Sequence, residues 1–149
     1  MNRDFDEMLA ALSAAGVEFL VVGAYAMAAH GLPRATGDID IWVRPQQENA
    51  GRVVSALRTF GAPLFGLTIE DLLRVDTVFQ IGVAPNRIDI LTGITGVLFE
   101  EAWLNRLTVR IDDQLVPVIG RAELIRNKAA TGRPKDQADL IWLREQTRS

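Results

Sequence analysis

The sequence predicts an α+β fold, a small mixed β-sheet flanked by helices, and three observations predict it. Short runs with strand character recur at 17–22, 38–43, 78–83, 87–91, 107–111 and 114–119. Apolar residues at helical spacing fall before, between and after those runs. A helix between the first two runs, with tight turns between later neighbours, suits one mixed sheet with helices packed on it. The chain has 149 residues, 48% hydrophobic and 23% charged, the size and composition of a globular unit with its own core. No internal repeat, low-complexity tract or linker interrupts it, so residues 1–149 are expected to form a single domain.

The elements follow in order. Phe5, Met8, Leu9 and Leu12 fall at i, i+3, i+4 and i+7, the stripe of an amphipathic helix, and Gly16 is placed to stop it. The β-rich run Val17 to Val22 ends at Gly23, and the alanine-rich segment Ala24 to His30 reads as a short helix. Gly31, Pro33 and Gly37 mark a loop. From Asp38 to Val43 the chain alternates: Ile39, Ile41 and Val43 take one face of a strand, Asp38, Asp40 and Trp42 the other. Pro45 is expected to open a helix with the stripe Val53, Val54, Leu57 and Phe60, and Thr68 to cap a short one through Leu73. Ala84-Pro85-Asn86 is a turn between two strands. A short helix over 99–105, a hairpin around Asp112 and Asp113, and a helix over 121–131 follow, with Gly132 in the position of a C-terminal glycine. Pro134 starts a last helix whose expected apolar stripe is Ala138, Ile141 and Trp142.

Composition excludes several chemistries. There is no cysteine, so disulfides, thiol catalysis and cysteine-bound zinc are out. A single histidine rules out multi-histidine metal sites. Any metal must be held mainly by oxygen, which points to hard ions such as Mg²⁺ or Mn²⁺. The net charge of -3 provides no global basic field for nucleic acid, so a polyanion would need a local basic cluster or a metal. The start Met-Asn-Arg-Asp-Phe-Asp-Glu lacks the pattern of a signal peptide, and no apolar stretch reaches the roughly 18 residues of a membrane span. A cytoplasmic protein with no membrane partner is the expectation.

The acids carry the chemistry. Period two puts the carboxylates of Asp38 and Asp40 on one face of a strand. Their apolar neighbours Ile39 and Ile41 argue that this strand is central, where two adjacent like charges repel unless a cation lies between them. The plainer reading is an edge strand with two ordinary aspartates. A second strand, Arg87-Ile88-Asp89-Ile90-Leu91, carries an acid between two isoleucines. If the apolar faces of the two strands align, Asp38, Asp40 and Asp89 converge on one face as a site for one or two Mg²⁺ ions. Asp89 could instead be a structural partner of Arg87.

Other features gather around the acids. Val21-Val22-Gly23-Ala24 is a strand, a glycine, a small residue and then a helix, a turn that lets backbone N–H groups approach a phosphate. Lys128 shares a helical stripe with Leu124, Ile125 and Ala129, so it lies on or beside an apolar face. Buried lysines are rare unless paired. It either snorkels to water or binds phosphate. Asp136 and Asp139 suit the positive end of a helix dipole without further chemistry. Arg34 and Arg44 flank the acid pair and could meet a triphosphate or simply balance its charge. His30 reads as a cap, the three tryptophans as core, and Tyr25 as packing.

Gly23-Ala24, the loop His30-Gly31-Leu32-Pro33-Arg34-Ala35-Thr36-Gly37 and the pair in Asp38-Ile39-Asp40-Ile41 together resemble the signature of the nucleotidyltransferase superfamily with the DNA polymerase β-like fold. Among its members the chain is especially similar to small prokaryotic abortive-infection toxin nucleotidyltransferases, and more distantly to lincosamide and aminoglycoside nucleotidyltransferases. The resemblance covers about residues 20–92 and, more weakly, 121–143. It implies a nucleotidyltransferase fold completed by C-terminal helices, and two-metal transfer of an NMP from an NTP to a hydroxyl or phosphate. It maps the metal-binding and catalytic acids onto Asp38, Asp40 and Asp89. The toxins' lysine, arginine and Asp-x-x-Asp motif maps onto Lys128, Arg133, Asp136 and Asp139, which gives Lys128 a part in catalysis and nucleotide binding. Ala24 stands where the family has glycine or serine. The missing hydroxyl leaves triphosphate binding to the backbone at Gly23 and Ala24, to Arg34 or Thr36, and to Lys128. The acceptor stays open between tRNA or a protein in a toxin–antitoxin or phage-defence module and a small molecule such as an antibiotic. A non-catalytic binding module with the same fold is the remaining alternative. The chain has little beyond a catalytic core, which makes a homodimer or a partner protein a candidate to complete the acceptor site.

Overall fold

The computed structural model describes residues 1–33 and 37–147. Its elements in chain order are α1 (Arg3–Ala14), β1 (Phe19–Val22), α2 (Gly23–Ala29), β2 (Ile39–Val43), α3 (Gln47–Phe60), α4 (Ile69–Leu73), β3 (Val78–Ile81), β4 (Ile88–Leu91), α5 (Phe99–Leu104), β5 (Leu107–Ile111), β6 (Gln114–Val118), α6 (Arg121–Thr131) and α7 (Pro134–Thr147). The strands form one mixed sheet in the order β3-β4-β2-β1-β6-β5. The β2–β4 and β1–β6 pairs are parallel, and the other three are antiparallel. The expected α+β architecture is what the chain adopts, and no helix among the described residues is long and apolar enough to cross a membrane.

One face of the sheet carries Ile39, Ile41, Ile88 and Ile90, all buried in a core shared with Phe5, Met8, Leu9 and Leu12 of α1 and Val53 and Leu57 of α3. Burying each such side chain contributes about 1.5–3 kcal/mol, which fixes the register of β2 and β4. A one-residue slip would bury their aspartates in place of the isoleucines. The opposite face is closed at one end by α5, where the Phe99 ring meets buried Trp42 edge-on at 5.1 Å.

Several local expectations resolve into specific contacts. Thr68 caps α4 in a reciprocal capping box with Asp71. α3 begins at Gln47 rather than at Pro45, because the Gln46 side chain accepts from the Asn49 N–H and serves as the cap. Asn49, 2% exposed, also ties down Glu18 and Arg44. His30 ends α2 and hydrogen-bonds through Nε2 to the Ile119 carbonyl at 2.8 Å, a structural link to the end of β6. Tyr25 packs edge-on against Phe5.

The apolar stripe expected for α7 is not the one it buries. Ile141 is 60% exposed and Ala138 is also exposed. The buried residues are Asp136, Asp139, Leu140 and Leu143, with Trp142 partly covered. Periodicity failed because it counts carboxylates as solvent-facing, whereas two of them here neutralise a buried cation on α6.

Candidate active site

Strand pairing brings the acids together. β2 and β4 run parallel with Asp40 opposite Asp89, and the same row continues to Val22 on β1 and Gln80 on β3. Residues opposite one another across a pair point to the same face, so the two carboxylates project side by side. Asp38, just before β2, reaches the cleft from the strand end. Its Oδ1 accepts the Arg87 backbone N–H at 3.0 Å, and Gly37 before it packs on the β3–β4 turn, where a side chain on Gly37 would strike the Pro85 carbonyl.

The Asp40 carboxyl is pushed up to about 6. Burial is the main cause, followed by the charge of Asp89 and a side-chain hydrogen bond with it. Arg87 offsets this only in part. Asp89 itself is 7% exposed and holds Arg87 in a two-pronged ion pair, Nε to Oδ1 at 2.7 Å and Nη2 to Oδ2 at 3.2 Å. The same guanidinium lies 3.5 Å from Asp38. Asp89 therefore lies opposite Asp40 on one face of the sheet and is at the same time the ion-pair partner of Arg87.

Gly23 sits directly on this cluster. Its φ of +70° is in the region that favours glycine, and a Cβ there would come within 2.3 Å of Asp40 Oδ2. The glycine at the β1–α2 turn therefore makes room for the carboxylate.

Across the cleft stands the α6–α7 junction. Lys128 is 8% exposed and does not snorkel. Its Nζ lies 3.0 Å from Asp136 Oδ1 and 3.1 Å from Asp139 Oδ2. Asp136 also accepts from Thr131 Oγ1 at 2.6 Å and Arg133 Nε at 2.7 Å. Burial alone would raise the Asp136 carboxyl, but the bonds from Thr131, Lys128 and Arg133 outweigh it and hold it down at about 2.

The two sides enclose one cleft of ≈ 350 Å³. Four carboxylates (Asp38, Asp40, Asp89, Asp136) and four cations (Arg87, Lys128, Arg133, Lys135) line it beside Gly23 and Ala24. A second lobe of ≈ 200 Å³ shares Gly23, Asp40, Lys128 and Arg133, then turns neutral along Leu91, Ile94, Thr95 and Asn127. A hollow of ≈ 340 Å³ by Asp6, Glu7, Asp112 and Asp113 has acids but no cation among its described lining residues, so it lacks the two-signed character of this cleft.

The cleft thus gathers Gly23, Ala24, Asp38, Asp40, Asp89 and Lys128. Arg34 and Thr36 lie outside the described residues. Arg44 is elsewhere: it pairs with Glu18 and Glu100 and stacks on Phe99. Lys135 was missed by sequence reasoning. The available signal was Arg133-Pro134-Lys135, basic residues at a helix start, where the dipole favours acids.

Asp38, Asp40 and Asp89 offer carboxylate oxygen, the donor type a hard cation takes. Asp40 and Asp89 are adjacent, buried at their bases and open to the cleft, and burial, then the charge of Asp89, raises Asp40. Among the described lining residues, oxygen is the donor type offered to a metal. Among the described residues no group of three acidic, histidine or cysteine side chains is drawn together closely enough to hold an ion as it stands; Arg87 lies on Asp38 and Asp89.

No family model matches the chain, and no curated protein matches it. Solved structures do share its fold. A Thermotoga maritima protein provisionally described as a nucleotidyltransferase is 18% identical with a TM-score of 0.64, over 96% of this chain and 92% of that one. The lincosamide antibiotic adenylyltransferase LnuA, solved with lincomycin bound, is 13% identical with a TM-score of 0.59, over 97% of this chain and 96% of its own. The fold of this chain is therefore the one seen in these nucleotidyltransferase structures.

Proposed function

We propose that this protein is a metal-dependent nucleotidyltransferase that moves an NMP from an NTP to a hydroxyl or phosphate acceptor. The observation that carries the reading is the in-register pairing of Asp40 with Asp89 in a cleft walled on its other side by Lys128, Arg133 and Lys135. Carboxylates on one wall suit a divalent cation, and ammonium and guanidinium groups on the other suit phosphate oxygens. Asp38, Asp40 and Asp89 are the residues to hold Mg²⁺ or Mn²⁺. When bound, such an ion supplies charge neutralisation on phosphoryl oxygens and lowers the pKa of an attacking hydroxyl. The chain itself binds and orients the nucleotide. Lys128, Arg133 and Lys135 anchor the triphosphate, with Arg34 and Thr36 as further ligands. Backbone at Gly23 and Ala24 permits close approach. The neutral lobe along Leu91, Ile94 and Asn127 accepts an uncharged part of the reactants, the nucleoside or the acceptor.

The acceptor is a tRNA, a protein or a small molecule, with a cytoplasmic toxin–antitoxin or phage-defence setting for the first two. The shared fold with an antibiotic adenylyltransferase supports the small-molecule reading. The test is incubation with Mg²⁺ and each labelled NTP, offered tRNA, lysate protein, small hydroxylated antibiotics or nothing. We expect label transfer with pyrophosphate release in one arm and its loss in Asp40→Asn. Asp89→Asn should still bind Mg–NTP yet transfer about 100-fold more slowly, a barrier increase of about 2.7 kcal/mol. Nucleotide binding without transfer in every arm would favour a non-catalytic binding module instead.

A further inference from the structure

We propose that Arg87 occupies the cation locus of the ligand-free protein, and that arrival of metal and nucleotide together moves its guanidinium from Asp89 and Asp38 onto the triphosphate. This rests on the nucleotidyltransferase reading and adds to it a positioning residue that holds off metal until nucleotide is present.

The geometry is specific. Arg87 engages both oxygens of Asp89, at 2.7 and 3.2 Å, and lies 3.5 Å from Asp38. A carboxylate held by a guanidinium fork has both oxygens committed in one plane. Mg²⁺ demands oxygen ligands at about 2.0–2.1 Å in near-octahedral array. The same carboxylates cannot serve both at full strength, and two positive groups at one locus repel. As the site stands, three carboxylates face one guanidinium, so Arg87 and a metal compete for the carboxylate oxygens and not over net charge.

Arg87 can leave without disturbing the fold. Its backbone is fixed independently, with its N–H donating to Asp38 Oδ1 at 3.0 Å and its carbonyl accepting from the Ile39 N–H at 3.0 Å. Its side chain is 31% exposed and already lines the cleft. A rotation about side-chain bonds therefore suffices. The phosphates of an incoming nucleotide, facing Lys128 and Arg133 across the same cleft, give the displaced guanidinium an anionic partner. Metal alone offers it none. The consequence is coupling: metal binds weakly by itself and strongly with nucleotide, and the nucleotide shows the same gain from the metal.

The experiment is a Mn²⁺ titration followed by electron paramagnetic resonance of free Mn²⁺. It compares wild type, Arg87→Gln and Arg87→Lys, each alone and with the α,β-methylene analogue of each NTP. We expect Arg87→Gln to bind Mn²⁺ alone at least about tenfold more tightly than wild type, and Mn²⁺ with the analogue at least about tenfold more weakly. Arg87→Lys keeps the charge but cannot span both oxygens of Asp89, so it too should bind Mn²⁺ alone more tightly. It decides the matter if the glutamine variant does not fold. Mn²⁺ affinity unchanged or lowered in the folded variants, with wild type still binding Mn²⁺ and analogue, overturns the role of Arg87 and leaves the nucleotidyltransferase reading intact. Binding of neither Mn²⁺ nor analogue by any of the three overturns that reading and this inference with it.

Discussion

At the scale of single residues, the site depends on an absent side chain as much as on charged ones. Gly23 is held at φ +70° with Asp40 Oδ2 where its Cβ would be. The glycine-to-helix turn was legible in the sequence, but its sequence-level rationale, close approach to phosphate, omitted this second constraint. No pattern of residues one strand apart says which carboxylate will lean against a turn. Gly23→Ala must adopt a left-handed conformation, at about 1–2 kcal/mol, and must also displace Asp40. We expect a loss of at least about 2 kcal/mol in urea unfolding and weaker Mn²⁺ binding. A stability loss with Mn²⁺ affinity unchanged would show that Asp40 is not needed for the metal.

At the scale of elements, the α6–α7 junction shows where the sequence could and could not be read. The alternation of β2 and of β4 put Asp40 and Asp89 opposite the isoleucines, and the strand register agrees, because a face-burial pattern of period two is a local property; Asp38, expected on the same strand, lies just before it. The stripe of α7 was misread because its buried face is partly ionic, and only the fold reveals the Lys128 on α6 that pairs with it. The side-by-side placement of β1 and β6 is likewise set by packing of distant segments. Two outcomes belong to this junction. Lys128→Met leaves two buried carboxylates without their ammonium, and removing one partner of a buried pair costs about 3–5 kcal/mol. Thermal melts should show that loss. NTP affinity, titrated where the variant is still folded, should also fall at least about tenfold, and unchanged affinity would confine Lys128 to holding Asp136 and Asp139. The second outcome is an acid limb. Asp136 is held at about 2 in the folded protein, below the ordinary aspartate value of about 3.9. The unfolded chain therefore binds the proton first, and stability that is full above about pH 4 is lost as pH falls toward 2. Denaturation curves of Asp136→Asn should be flatter than wild type across that window.

At the scale of the whole molecule, the cleft joins parts of the chain far apart in sequence. Asp40 and Asp89 come from β2 and β4, with Asp38 just before β2, and three of the four lining cations, together with Asp136, come from the α6–α7 junction. A ligand that touches both walls ties the sheet to the C-terminal helices, so its binding energy becomes stability of the whole fold. The lining is balanced, four carboxylates against four cations. Metal alone must enter against the cations, and a triphosphate alone against the carboxylates. Bound together, each relieves the repulsion the other meets, and the stabilisation should exceed the sum of the two separate effects. At a metal–nucleotide concentration near 100 times its Kd the gain is about 2.7 kcal/mol, which for a chain of this size raises Tm by roughly 5–10 °C. The measurement is a set of four melts: protein alone, with Mg²⁺ or Mn²⁺, with NTP, and with both. Asp40→Asn removes the charge most exposed to the repulsion of Asp89, and should abolish the metal-dependent part of the shift while leaving the protein folded. A wild-type melt indifferent to metal and nucleotide together would sink the enzyme reading, since a cleft that bridges two halves of the fold cannot take up its ligand without stabilising both. A shift that is merely additive would instead mean that metal and nucleotide bind at separate places, and that the two walls do not share one substrate.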